Sequence, residues 1–147
     1  MAQAQVFGDN EWKEDPAPPP PAFSQDHLIP IDMPRYMSLS FGVDPATIRI
    51  GADGVVSYVV VARNREDGGF NAFFEGIHCA SEEYKTYARF ADGAWVVEKE
   101  PEWKRINDRN SRYTQRISAQ GMCRDHATQP TPQETARKMM EPLRDLN

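Results

Sequence analysis

The sequence predicts an α+β fold, an antiparallel meander of about five to six strands with two C-terminal helices packed on it. Three observations predict it. From Tyr36 to Glu98 apolar side chains recur with the period of two of a half-buried strand, punctuated by Asp53-Gly54 and Asp92-Gly93, pairs that accept the positive φ of tight hairpin turns. After Pro101 the apolar period lengthens to that of a helix. The chain has 147 residues, 39% of them hydrophobic, enough for one core and too few for two ordinary ones.

In chain order, residues 1–27 read as an extended proline-rich strap and residues 28–147 as a single α+β domain. Pro16-Ala17-Pro18-Pro19-Pro20-Pro21 lacks most of its amide donors and has its φ fixed, which favours polyproline II over helix or sheet. Trp12, beyond it, suggests that the far end docks. Leu28-Ile29-Pro30-Ile31 is a proline-broken edge strand. Tyr36 to Val43 alternates, with Met37, Leu39, Phe41 and Val43 on the apolar side; Asp44-Pro45 ends it, and Thr47 to Ile50 follows. Val55 to Ala62 is almost continuously apolar, the mark of a central strand covered on both faces. Phe70 to Cys79 returns as the next strand, placing Phe70, Ala72, Phe74, Gly76 and His78 on one face and Phe73, Glu75, Ile77 and Cys79 on the other. Tyr84 to Phe90 and Ala94 to Glu98 complete the meander.

Asn107 or Asp108 can cap a helix reaching about Ala119, with Gly121 as its stop. Arg105, Arg109, Arg112 and Arg116 follow the i, i+4, i+7, i+11 spacing of one helical stripe, a candidate binding surface for carboxylates or phosphates. A solvated face with intramolecular salt bridges is the competing reading of the same spacing. Thr131-Pro132-Gln133-Glu134 is a capping box with proline at the first helical position, opening a short second helix whose apolar face ends at Pro142.

The early Leu28-Ile29-Pro30, the hairpin Gly51-Ala52-Asp53-Gly54-Val55-Val56, Glu75-Gly76-Ile77 leading to Cys79-Ala80 and then Glu83-Tyr84-Lys85, the pair Trp95 and Trp103, and the late Cys123 resemble the CNP1-like family. The likeness covers nearly the whole chain beyond the proline run. It implies an exported protein and brings no catalytic or binding residues to carry over.

Charge and cysteines narrow the chemistry. The formal charge of −5 disfavours nucleic acid and anionic lipid as partners, and no apolar run approaches the length of a membrane span. From Trp103 to Arg124 six basic residues face one acidic residue, Asp108, a local +5 that leaves −10 elsewhere, so anion attraction belongs there. Ala2-Gln3-Ala4-Gln5 has the small-x-small character of a signal-peptidase cut, and the expectation is a periplasmic protein whose signal peptide has been removed. Cys79 and Cys123, at the ends of a strand and a helix, predict a disulfide of an oxidising compartment, with two free buried thiols as the alternative. His78-Cys79 with Cys123-x-x-His126 also supplies two nitrogens and two sulfurs for zinc, but adjacent strand residues point to opposite faces. No metal and no cofactor is expected.

Glu75 and His78 are the candidate polar site. No G-x-S-x-G, H-E-x-x-H, C-x-x-C or phosphate-loop pattern supplies them with partners, and no catalytic residue is assigned. The expected function is binding, to another envelope protein or to itself. A hydrolase-like enzyme using Glu75 and His78 is the alternative, and a nucleic-acid-binding regulator a more distant one.

Overall fold

The computed structural model describes residues 12–34, 36–106 and 112–144. Its sheet runs β1 (Ile29–Pro30), β2 (Leu39–Ile50), β3 (Val55–Asn64), β4 (Phe70–His78), β5 (Glu83–Ala91) and β6 (Ala94–Val97), each antiparallel to the next in sequence order. A two-residue strand, β7 (Lys104–Arg105), pairs with the start of β5. Helix α1 (Arg112–Ile117) passes into a π turn (Ser118–Met122), a small hairpin of β8 (Cys123–Arg124) and β9 (Ala127–Thr128), and helix α2 (Pro132–Arg144). The meander with two C-terminal helices is the architecture that the alternation and the period change predict.

The turns follow their residues. Gly54 has φ +85° in the β2–β3 turn, while Asp92 and Gly93 have φ of 53° and 81° in the two-residue β5–β6 turn. Asp44-Pro45 behaves otherwise. The sequence places a strand end there, but β2 continues through it as an irregularity, pairing Asp44 with Val59 and resuming with Arg49 opposite Ser57. Pro45 has no amide to give the ladder. Side chains replace what is missing: the Thr47 hydroxyl donates to the Asp44 carbonyl (2.7 Å) and accepts the Val59 N–H (2.8 Å), and Asp44 Oδ1 accepts the Ala46 N–H (3.1 Å).

Strand β3 is buried from Val55 to Ala62 and divides the core in two. Val56, Tyr58, Val60 and Ala62 join Phe41, Val43 and Ile77 on one face, where Ile117, Met122 and Met139 of the C-terminal segment cover them. Val59 and Val61 join Ala72, Phe74, Tyr87 and Ala88 on the other face, against which Phe23 and Leu28 of the N-terminal segment pack.

On the helical face, the Cys79–Cys123 disulfide joins the end of β4 to β8 with Cα atoms 5.8 Å apart. Gln120, on the π turn, donates to the carbonyls of Pro30 and Met139 and accepts the Asp32 N–H, each at 2.9 Å, so one buried amide ties the sheet edge to α2. Gly121, with φ +141°, lets the two helical segments touch: a Cβ there would lie 2.9 Å from the backbone of Lys138 and Met139. Thr131 caps α2 by accepting the Glu134 N–H at 3.0 Å. The helix runs through Pro142 to Arg144, beyond its expected end, because a proline in the last turn forfeits a single backbone bond.

Cutting the disulfide removes the constraint on a loop with a sequence separation of 44. Urea unfolding with and without reductant should show a loss of about 2–4 kcal/mol on reduction, and Cys79→Ser/Cys123→Ser should match the reduced protein. Gly121→Ala should lower the unfolding midpoint with the disulfide intact, since both φ and space oppose a side chain there.

Candidate functional site

The residues Glu75 to Cys79 send their side chains alternately to the two faces, and each face uses them differently. Glu75 points into the helical face and is completely buried. Tyr58 donates to its Oε1 at 2.9 Å and Tyr113, from α1, donates to its Oε2. Tyr113 is held by stacking on Phe41, with ring centroids 4.7 Å apart and planes 7° from parallel. Burial pushes the Glu75 carboxyl up to about 7, opposed by the hydrogen bonds from Tyr113 and Tyr58 and by the charge of Arg89. Burial, and then the neighbouring Glu75 charge, pushes both phenols well above their usual range.

His78 points to the opposite face. Its ring stacks on Trp12 at 4.0 Å, its Nδ1 lies 2.7 Å from the Ser81 hydroxyl, and burial lowers its pKa against the acidic pull of Glu83, Asp53 and Glu14. The fold therefore does not bring Glu75 and His78 together. The regular pleat of β4 separates them, and each is engaged with other groups.

The polar constellation that does form contains Glu14, Lys85, Tyr87 and Trp103, none of them singled out as site residues by their sequence pattern. Lys85 Nζ lies 2.5 Å from Glu14 Oε1, the Trp103 indole N–H donates to the same oxygen at 3.2 Å, and the Tyr87 hydroxyl donates to Oε2 at 3.2 Å. The Lys85 ammonium also sits 4.6 Å from the Trp103 ring. A bulge builds this arrangement: Phe74 pairs with Ala88 but Glu75 pairs with Thr86, leaving Tyr87 as the extra residue. Gly76 supplies the room, for a Cβ on it would come within 2.6 Å of the Tyr87 hydroxyl. Burial, followed by the Glu14 charge and hydrogen bond, moves the Tyr87 phenol above its usual range.

Further along the same face, the Trp95 indole donates to the Pro21 carbonyl at 3.1 Å, and Phe23 meets Phe70, Phe90 and Trp95 edge to face. Trp95 and Trp103 are thus packing residues with one polar handle each. At the other end of the molecule, Cys79 and Cys123 are bonded to each other, and His126 pairs with Glu82 at 3.1 Å, so the suggested zinc grouping is not assembled. Among the described residues no group of three or more His, Cys, Asp and Glu side chains is placed to hold a metal ion.

The arginine stripe is not a single helical face. Arg105 lies on β7 opposite Glu83 rather than on α1, because β7 extends the β5 edge before the chain turns toward the helix. Arg116 is on α1 and donates to the Asp32 carbonyl at 3.3 Å. Arg109, the proposed caps Asn107 and Asp108, and the Arg112 side chain lie outside the described residues.

The family model described as CNP1-like matches residues 7–140, most of the chain. No curated protein matches the sequence, and no solved structure matches it.

The Glu75 environment predicts a pH dependence of stability. The folded carboxyl keeps its proton up to about 7, whereas the unfolded one releases it near 4.5. Within that window the folded state binds more protons, so stability falls as pH rises and is greatest below it. Urea unfolding should lose about 3 kcal/mol between the acidic and alkaline sides of the window, and Glu75→Gln should flatten that slope.

Proposed function

The chain belongs to the CNP1-like family, and on that premise we propose that it is an exported periplasmic protein, its signal peptide removed, that acts by binding. Residues 28–147 form the binding domain and residues 1–27 its strap. The Cys79–Cys123 bond supports the compartment, because cytosolic thiols are kept reduced.

The observation that carries the binding reading is the outer edge of β6. Ala94-Trp95-Val96-Val97 has no charged side chain, Val96 and Val97 are 57% and 61% exposed, and among the described residues no strand pairs with that edge. Natural sheet edges are blunted by charge or cover, and an uncharged strand is complementary to itself across a two-fold axis. The partner is accordingly a second copy of this chain, paired β6 to β6. Four residues support a weak, concentration-dependent dimer.

The hydrolase-like alternative would require Glu75 and His78 on one surface, and they lie on opposite faces of β4. Nucleic-acid regulation would require a concerted arginine face, which the place of Arg105 on β7 disfavours.

Two measurements test the proposal. Sedimentation velocity over a concentration series should show a monomer–dimer equilibrium that Val96→Lys/Val97→Lys abolishes without lowering the melting temperature; a wild-type protein monomeric throughout would remove the self-pairing. Alkylation of protein trapped directly from cells should find no free thiol without reductant, and two adducts would remove the compartment.

A further inference from the structure

We propose that Lys85, Tyr87 and Trp103, with the His78 ring beside them, form a recognition site for an extended peptide carrying an aromatic residue two positions before an acidic one, and that Trp12-Lys13-Glu14 fills it in cis. The site is independent of the β6 edge.

Its two halves match the spacing of such a ligand. In extended backbone, residues i and i+2 point the same way. Trp12 and Glu14 therefore both turn toward the sheet, and Lys13 between them is exposed. The aromatic half takes the Trp12 indole between the His78 ring, stacked at 4.0 Å, and the Trp103 edge at 6.1 Å; the Asp53 carbonyl accepts its N–H at 2.7 Å. The acidic half gathers an ammonium, a phenol and an indole N–H on one carboxylate. The Lys85 side chain is only 11% exposed there and the Tyr87 residue 6%. Asp53 Oδ2 accepts the Asp15 N–H at 2.9 Å, fixing the peptide backbone that follows the acid.

Every donor is supplied by the sheet and its loops, while the acceptor comes from a segment far away in sequence, with separations of 71 to 89 residues. The donors are fixed by the β5 bulge and by the Gly76 gap. With the strap lifted, Lys85 and two further donors would face solvent already converged on one point, so another acid could take the place of Glu14 at little cost in ordering the receiving groups. The cis segment thus competes with any peptide of the same chemistry, lowering its apparent affinity by the fraction of time the site is covered.

The test uses the full chain with Trp12→Ala/Glu14→Ala, which removes the cis occupant and leaves the receiving residues intact. The probe is a blocked synthetic peptide of the chain's residues 10–16, titrated while the indole N–H resonances of Trp95 and Trp103 are followed. The variant should bind at least about tenfold more tightly than wild type, with the shift at Trp103 and not at Trp95. Adding Lys85→Met should abolish the shift. Should that variant fail to fold, the same peptide with glutamine in place of its Glu14 equivalent tests the clamp from the ligand side and should bind more weakly. Equal binding to wild type and variant, a shift insensitive to that glutamine, or no shift at Trp103 would each overturn the proposal.

Discussion

A central strand with no wet face governs this molecule. The burial of β3 from Val55 to Ala62 means that apolar side chains leave the sheet in both directions, and each layer must be kept from water. One cover is conventional, built from α1, the π turn and α2. The other has no helix available to it, and the proline-rich segment lies there instead, with Phe23 and Leu28 closing over Val59, Val61, Phe74 and Ala88. Proline suits that task because its φ is already restricted, so ordering it costs less entropy than ordering another extended segment of equal length.

The six residues from Glu75 to Ala80 connect the two covers. Alternation in β4 sends Glu75 to the tyrosines under α1, leaves at Gly76 the space that Tyr87 occupies, sends Ile77 into the helical core, and gives His78 to Trp12. Cys79 then bonds to the tail. A substitution in this motif is therefore felt on a specific side of the sheet, decided by the parity of its position.

Much of the architecture was legible because it depends on local rules: alternation for β2 to β6, Asp-Gly for the hairpins, threonine and proline for the start of α2. The Cys79–Cys123 pair was legible from number and placement. The continuation of β2 through Asp44-Pro45 was not, because it rests on Thr47 finding the Val59 amide across the sheet, a tertiary bond no local pattern announces. Arg105 kept helical spacing with its neighbours yet joined β7, since pairing with Glu83 overrode a period shared by only four residues. The Glu14 clamp was hidden for a related reason. One extra residue in β5 puts Tyr87 and Ala88 on the same face, and bulges leave little trace in a hydrophobic pattern. Glu75 stood out in the sequence only as half of a candidate polar site with His78; its burial between Tyr58 and Tyr113 rests on contacts across the sheet that no local pattern announces.

The strap also sets an order of events. Its partners Lys85, Tyr87, Trp95 and Trp103 come 71 to 89 residues after it, so a chain synthesised from its amino terminus exposes Trp12 and Phe23 long before their seats exist. Closing so large a loop becomes favourable only once β5 and its bulge are in place. A segment made before the sheet consequently settles only after β5, and during that interval the aromatic side of the sheet stands open to whatever else is near.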